Sequence, residues 1–158
     1  MKTIKLERLN ACCDAIEWAR KQKSSIEAWN NCPRGDWMLW IASKVGVDKR
    51  LLTLAKGKCA ETVIHLMKDQ RSKDAVKAAI DYGNRLIDDN QLKTAYVAAT
   101  YVAYAGAATY VAYAGAAADA YAGAAAKKNN QMLTASICRE VLTKNVLMKY
   151  KKLRHEKR

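Results

Sequence analysis

Apolar residues recur at three- and four-residue intervals along most of the chain, the spacing that gives a helix one apolar face. Leu6, Leu9, Cys13 and Ile16 predict an amphipathic helix over about residues 4 to 22, with Trp18 off its stripe. Ser24 and Ser25 offer a cap for a short helix through Ile26, Ala28 and Trp29, closed by Asn30, Asn31 and the only proline, Pro33. Asp36 is expected to cap the stretch "WMLWIASKVG", and Gly46 to stop it. Asp48 is expected to cap a helix over about residues 49 to 69, with the stripe Leu52, Ala55, Cys59, Thr62, Val63 and Leu66. Val76, Ala79, Ile80, Gly83, Leu86 and Ile87 predict another over about residues 72 to 89. A last helix from about Gln131, capped by Asn129 or Asn130, carries Leu133, Ile137, Cys138, Val141, Leu142, Asn145 and Met148. Beyond Lys149 the apolar pattern stops.

Residues 91 to 128 break this one-sided rule. The nine-residue phrase "AATYVAYAG" stands twice in succession, at 98 to 106 and at 107 to 115. A helix advances about 100° per residue, so nine residues turn it through about 900° and the second copy faces the opposite side. Tyr101 and Tyr110 therefore cannot share a face, and the segment's six tyrosines fall all round the helix. A helix apolar on every side is expected to be buried, and Ala and Gly let its neighbours come close. The expected fold is all-α: a single-domain bundle of about six or seven helices over residues 1 to 150, around this central Ala/Tyr-rich helix. Residues 151 to 158 form a basic tail. Gly106 or Gly115 would, alternatively, split the segment in two. A membrane span fits poorly, since Ala, Gly, Thr and Tyr are weakly apolar and residues 95 to 118 hold no Leu or Ile. A copying error would explain the duplication without giving it a role.

Composition agrees with the helical reading: Phe is absent, Pro occurs once, and good helix formers abound. Five cysteines, an odd number without framework spacing, and no export leader point to a reducing cytoplasm. The net charge of +13 is unevenly spread, with seven basic side chains and one acid over residues 144 to 158. Lys144, Lys149, Lys151, Lys152 and Arg154 are the candidate partner-binding residues. Such a run can neutralise nucleic-acid phosphates, dock on an acidic protein, or solvate a helix end and complement its dipole.

Chemistry-bearing constellations are few. Gly35, Gly46 and Gly57 are too far apart for a phosphate loop. His65 and His155 are the only histidines, and Cys59 lies six residues from His65, a poor spacing for two ligands on one helix face. Asp88 and Asp89 are adjacent, so on a helix they diverge and are expected to end one before Asn90. Buried structural thiols are the expectation for the cysteines. No catalytic residue, metal or cofactor is expected.

The most distinctive stretch is "AWNNCPRGDWMLW", residues 28 to 40. Pro33 and Gly35 suit a type I turn, and Trp37 and Trp40 share a helix face, which makes a rigid corner with the two indoles in the core. Arg34, Gly35 and Asp36 also spell an adhesion tripeptide, a weak reading in a thiol-rich chain. Trp29, Cys32, Arg34, Asp36, Trp37, Leu39 and Trp40, followed by helices and a Tyr-studded Ala-rich segment, resemble the all-α immunity proteins found beside bacterial polymorphic toxins. The likeness spans about residues 10 to 143 and implies a non-catalytic protein that neutralises a cognate toxin by binding it. A relative recruited to another inhibitory task, such as a phage protein that blocks a bacterial defence complex, fits equally. The alternative from charge alone is a basic helical nucleic-acid-binding module.

Overall fold

The computed structural model describes the backbone of residues 4–104 and 124–155, all of it in helices and short connections. Eight α-helices occur among the described residues: α1 Ile4–Arg8, α2 Cys13–Arg20, α3 Ser25–Asn31, α4 Gly35–Lys44, α5 Lys49–Glu61, α6 Gln70–Gly83, α7 Asp89–Tyr104 and α8 Ala124–His155. A 3-10 turn, Ile64–Leu66, joins α5 to α6. The all-α bundle expected from the spacing is what the chain forms.

Several boundaries follow the expected caps. Ser24 accepts from Glu27 N at 3.1 Å, which satisfies one of the orphan donors at the start of α3, while the Glu27 carboxylate reaches back to accept from Lys23 N at 3.0 Å. Asp48 accepts from Arg50 N and Leu51 N at the head of α5. Gly46, at φ 75°, ends α4 in a Schellman motif: Val47 N donates to Ala42 O at 3.0 Å and Gly46 N to Ser43 O at 3.1 Å.

Elsewhere the chain breaks where periodicity alone runs on. The predicted helix over 4 to 22 is two helices, because Asn10 turns left-handed at φ 59°, a conformation Asn tolerates, and closes α1. The helix predicted through residue 69 stops at Glu61, where Thr62 Oγ1 lies 2.7 Å from Cys59 O and the β-branched run Thr62, Val63, Ile64 follows. The helix predicted over 72 to 89 starts at Gln70 behind an Asp69 cap and ends at Gly83. Asp88 does not end it but opens α7, accepting from Gln91 N at 2.9 Å while Gln91 Oε1 accepts from Asp88 N at 3.0 Å. Asp36 does not cap α4: the helix begins at Gly35, and Arg34 occupies the cap position without a side-chain bond.

Among the described residues, α5 packs on α4, α6 and α8, and α8 packs on α3, α4 and α5. α7, which carries the start of the Ala/Tyr segment, packs on α6 and keeps Lys93, Thr94, Val97 and Thr100 exposed. Up to Thr100 it is thus a one-sided helix. Most of the duplicated phrase, including its whole second copy, lies outside the described residues.

α8 begins at Ala124, seven residues before the expected start at Gln131, and neither Asn129 nor Asn130 is its cap. Its buried face is Thr134, Ala135, Cys138, Leu142 and Val146; Leu133 and Met148, expected on the apolar stripe, are about half exposed. Close approach explains this phase. Gly35 sits on Thr134, and Gly57 and Gly83 bring α5 and α6 together against Ile80 and Leu54. Small residues face the tight crossings, and bulky ones are rotated to the flanks.

Candidate functional site

The corner at residues 29 to 40 is assembled from α3, α4 and α8. Trp29 is buried, and its Nε1 donates to Thr143 Oγ1 at 2.8 Å. Cys32 is also buried: its Sγ lies 3.4 Å from Arg34 O, and its own carbonyl accepts from Arg139 at 2.9 Å. Burial pushes the Cys32 thiol above its ordinary range. Arg34 is held bidentate by Asp36, at 3.1 and 2.6 Å, with its guanidinium 4.5 Å from the centre of the Trp37 ring. The turn thereby fixes its own charges. These residues build the bend rather than present an open polar site.

α4 is apolar on two faces. Gly35, Met38 and Ala42 point into the core, whereas Trp37, Trp40 and Ile41 lie on the other side and are half-buried. Of the two indoles expected in the core, Trp37 packs against it while half-buried and Trp40 does not; Met38, 1 % exposed, is the large side chain that α4 buries fully. Trp37 meets Trp18 of α2 with ring centres 6.1 Å apart and planes tilted by 55°. Leu39 is half-buried against the core. Trp40 is not among the half-buried side chains that pack on the core, and Lys44 sits 5.8 Å from its ring centre.

A groove of about 960 Å³ runs beside α4, lined from α1, α2, α3, both faces of α4, Lys56 and Cys59 of α5, and α8. Leu9, Trp18, Trp37, Trp40, Ile41 and Val45 supply much of its apolar wall, and α8 lines it at two separate stretches, between Lys127 and Thr134 and between Val146 and Tyr150. Arg8, Arg34, Lys44, Lys56 and Lys127 contribute charge; Asp36, already engaged by Arg34, is the acid in the lining. The sequence reading missed Trp18, Arg8, Lys44 and Lys56 as site residues. Trp18's position off the α2 stripe was the signal available, together with the apolar second face of α4.

The candidate basic residues all lie on α8, which runs unbroken to His155. Lys144, Lys149 and Lys151 are exposed. Lys144 and Lys151, seven residues apart, share a face, and Lys149 stands about 140° round from Lys144. Lys152 and Arg154 follow on the same helix, their side chains outside the described residues. Tyr150, between Lys149 and Lys151, accepts from Ser25 Oγ at 2.8 Å and lines the groove's end, so the basic run adjoins the groove.

The thiols divide by burial. Cys12 and Cys13 are exposed; Cys32, Cys59 and Cys138 are buried. Cys59 and Cys138 stand with sulfurs 3.9 Å apart at the crossing of α5 and α8. The hydrogen bond to Cys59, then burial, drives the Cys138 thiol far above its ordinary range. His65 is exposed on the 3-10 turn, away from buried Cys59. Among the described residues no group of three or more His, Cys, Asp or Glu can hold a metal ion, and no helix is long and apolar enough to cross a membrane. No family model, curated protein or solved structure matches the chain.

Proposed function

We propose that this chain is a non-catalytic binding protein that acts by holding another protein, with the groove beside α4 as its contact surface. The observation that carries the reading is Trp40: a half-buried indole, not among those packed on the core, that lines a largely apolar groove. Tryptophans in this setting are the usual energetic anchors of protein interfaces. Neutralisation of a toxin, or blockade of a defence complex, is the form of binding that the resemblance of the 29 to 40 corner implies. Trp29, Cys32, Arg34 and Asp36 of that corner then serve as scaffold, setting α4 so that Trp37 and Trp40 line the groove.

A nucleic-acid reading has its own support in the exposed Lys144, Lys149 and Lys151. The two separate by experiment. With a photo-crosslinking residue in place of Trp40, the chain expressed in its source cells is expected to yield a discrete protein adduct. Nucleic-acid adducts, or none, would overturn the reading. Binding to a mixed-sequence oligonucleotide that is tight at physiological salt, and abolished by reversing Lys144, Lys149 and Lys151, would favour the alternative.

A further inference from the structure

The groove's charges say what kind of protein segment it suits. Outside the groove Arg20 pairs with Glu7, Lys49 with Asp89, Lys58 with Glu140 and Arg71 with Asp69. Arg8 and Lys44 are exposed and Lys56 half-exposed, and none of the three has an acidic partner among the described residues. The one acid in the lining, Asp36, is neutralised by Arg34. An apolar floor is therefore flanked by cations whose counter-charges the described chain does not supply.

Length adds a second constraint. The groove meets α8 at Asn130, Gln131 and Thr134 and again at Val146, Leu147 and Tyr150, and its two ends lie roughly 30 Å apart along the helix at about 1.5 Å per residue, the length of a helix of about five turns. A compact metabolite would leave most of that wall uncovered. A helix laid along it would cover the floor with one face and keep its own backbone hydrogen bonds, as in other helix-in-groove complexes.

Resting on the protein-binding reading above, we infer that the groove takes an acidic amphipathic helix of the partner. Its apolar residues, at i, i+3, i+4 and i+7, lie on Trp18, Trp37 and Trp40. Asp and Glu on its flanks meet Arg8, Lys44 and Lys56, and the basic run of α8 beyond Tyr150 extends the attraction past the groove's end.

The test is selection of a displayed library of random 18-residue peptides on the full-length chain. Enriched peptides are expected to carry that apolar spacing with a clear excess of Asp and Glu. Their affinity should fall at least about tenfold on Trp40→Ala and on Lys44→Glu, with helical content and Tm held, and Lys in place of the peptide's facing acid should restore binding to the Lys44→Glu chain. Neutral or basic consensus sequences, indifference to both variants, or no enrichment would overturn the inference. So would a dimer that dissociates on Trp40→Ala, or Trp40-dependent uptake of dodecanoate by a chain that enriches no peptide. A protein adduct from position 40 alongside any of these would leave the protein-binding reading standing and remove only the acidic helix.

Discussion

A β-carbon placed on Gly35 would lie 2.7 Å from the carbonyl carbon of Thr134. The first turn of α4 therefore rests on the backbone of α8 itself, which no side-chain rotation can clear. Gly35→Ala adds only a methyl group and asks for no unusual φ, so its effect reports this contact alone. We expect a loss of about 1 to 3 kcal/mol, in the range of overpacked cores, and a fall of several degrees in Tm. Thr134→Ala should not rescue it, since the clash with the main chain persists. A neutral Gly35→Ala in urea unfolding would show that the two helices separate at little cost.

Arg85 closes α6 in the left-handed region at φ 65°, with Leu86 N donating to Asp81 O at 2.9 Å and Arg85 N to Tyr82 O at 3.1 Å. This is the Schellman geometry that Gly46 serves on α4, built here with a residue that has a Cβ. The left-handed conformation costs an L-residue about 1 kcal/mol or more, and Arg85 is exposed with no recorded ion pair among the described residues. Arg85→Gly is thus expected to stabilise the chain by about 0.5 to 1 kcal/mol, and Gly46→Ala to destabilise it by a similar amount. Chemical denaturation of both variants checks the pair; a destabilised Arg85→Gly would mean that the arginine side chain contributes more than its backbone costs.

These two chain reversals show where the sequence is legible and where it is not. Ser24, Asp48 and Gly46 are seen in advance because each satisfies a helix end through its own chemistry. Arg85 and Asn10 are not, since either fits a helix interior and only tertiary packing turns the chain there. The phase of α8 was hidden for a related reason: its large apolar residues mark a stripe through Leu133 and Met148, but the tight crossings need Thr134, Ala135 and Cys138. The groove was hidden because Trp37 and Trp40, three apart, read as one core face. That Gly35, Met38 and Ala42 fill the core from the other side depends on how closely α4 can approach α8.

The buried thiols make stability depend on alkaline pH. Cys32 and Cys138 are held neutral in the fold, above the range in which an unfolded thiol ionises at about 8.5. A raised folded pKa stabilises fully below the unfolded value, and that contribution is lost as pH rises from there towards the folded value. Between about pH 8.5 and 10 the chain should lose stability with a limiting slope of about 1.4 kcal/mol per pH unit for each such thiol. Cys138→Ala should lower stability at pH 7 yet show a shallower decline above pH 8.5. At pH 8 an aromatic disulfide reagent should modify Cys12 and Cys13 quickly and leave Cys32, Cys59 and Cys138 until the chain unfolds. Rapid reaction of all five would deny the burial.

The end of α8 carries the last expectation. Tyr150 is tied to Ser25 by the 2.8 Å hydrogen bond, whereas Lys151 is exposed. A chain cut after Tyr150 keeps the tie and removes most of the basic run, so it should melt within a few degrees of the full length. Tyr150→Phe in the intact chain loses the hydroxyl and should cost about 0.5 to 1.5 kcal/mol. In binding, the order reverses. Cations beyond the groove steer an acidic partner before contact, so the truncated chain should associate more slowly with an acidic groove-selected peptide while dissociating at nearly the parent rate. The difference should shrink as salt rises from about 0.01 to 0.15 M, over which the screening length falls from about 30 to 8 Å. Equal association rates at low salt would reduce Lys151, Lys152 and Arg154 to a solvated helix end and leave recognition to Trp40, Lys44 and the rest of the groove.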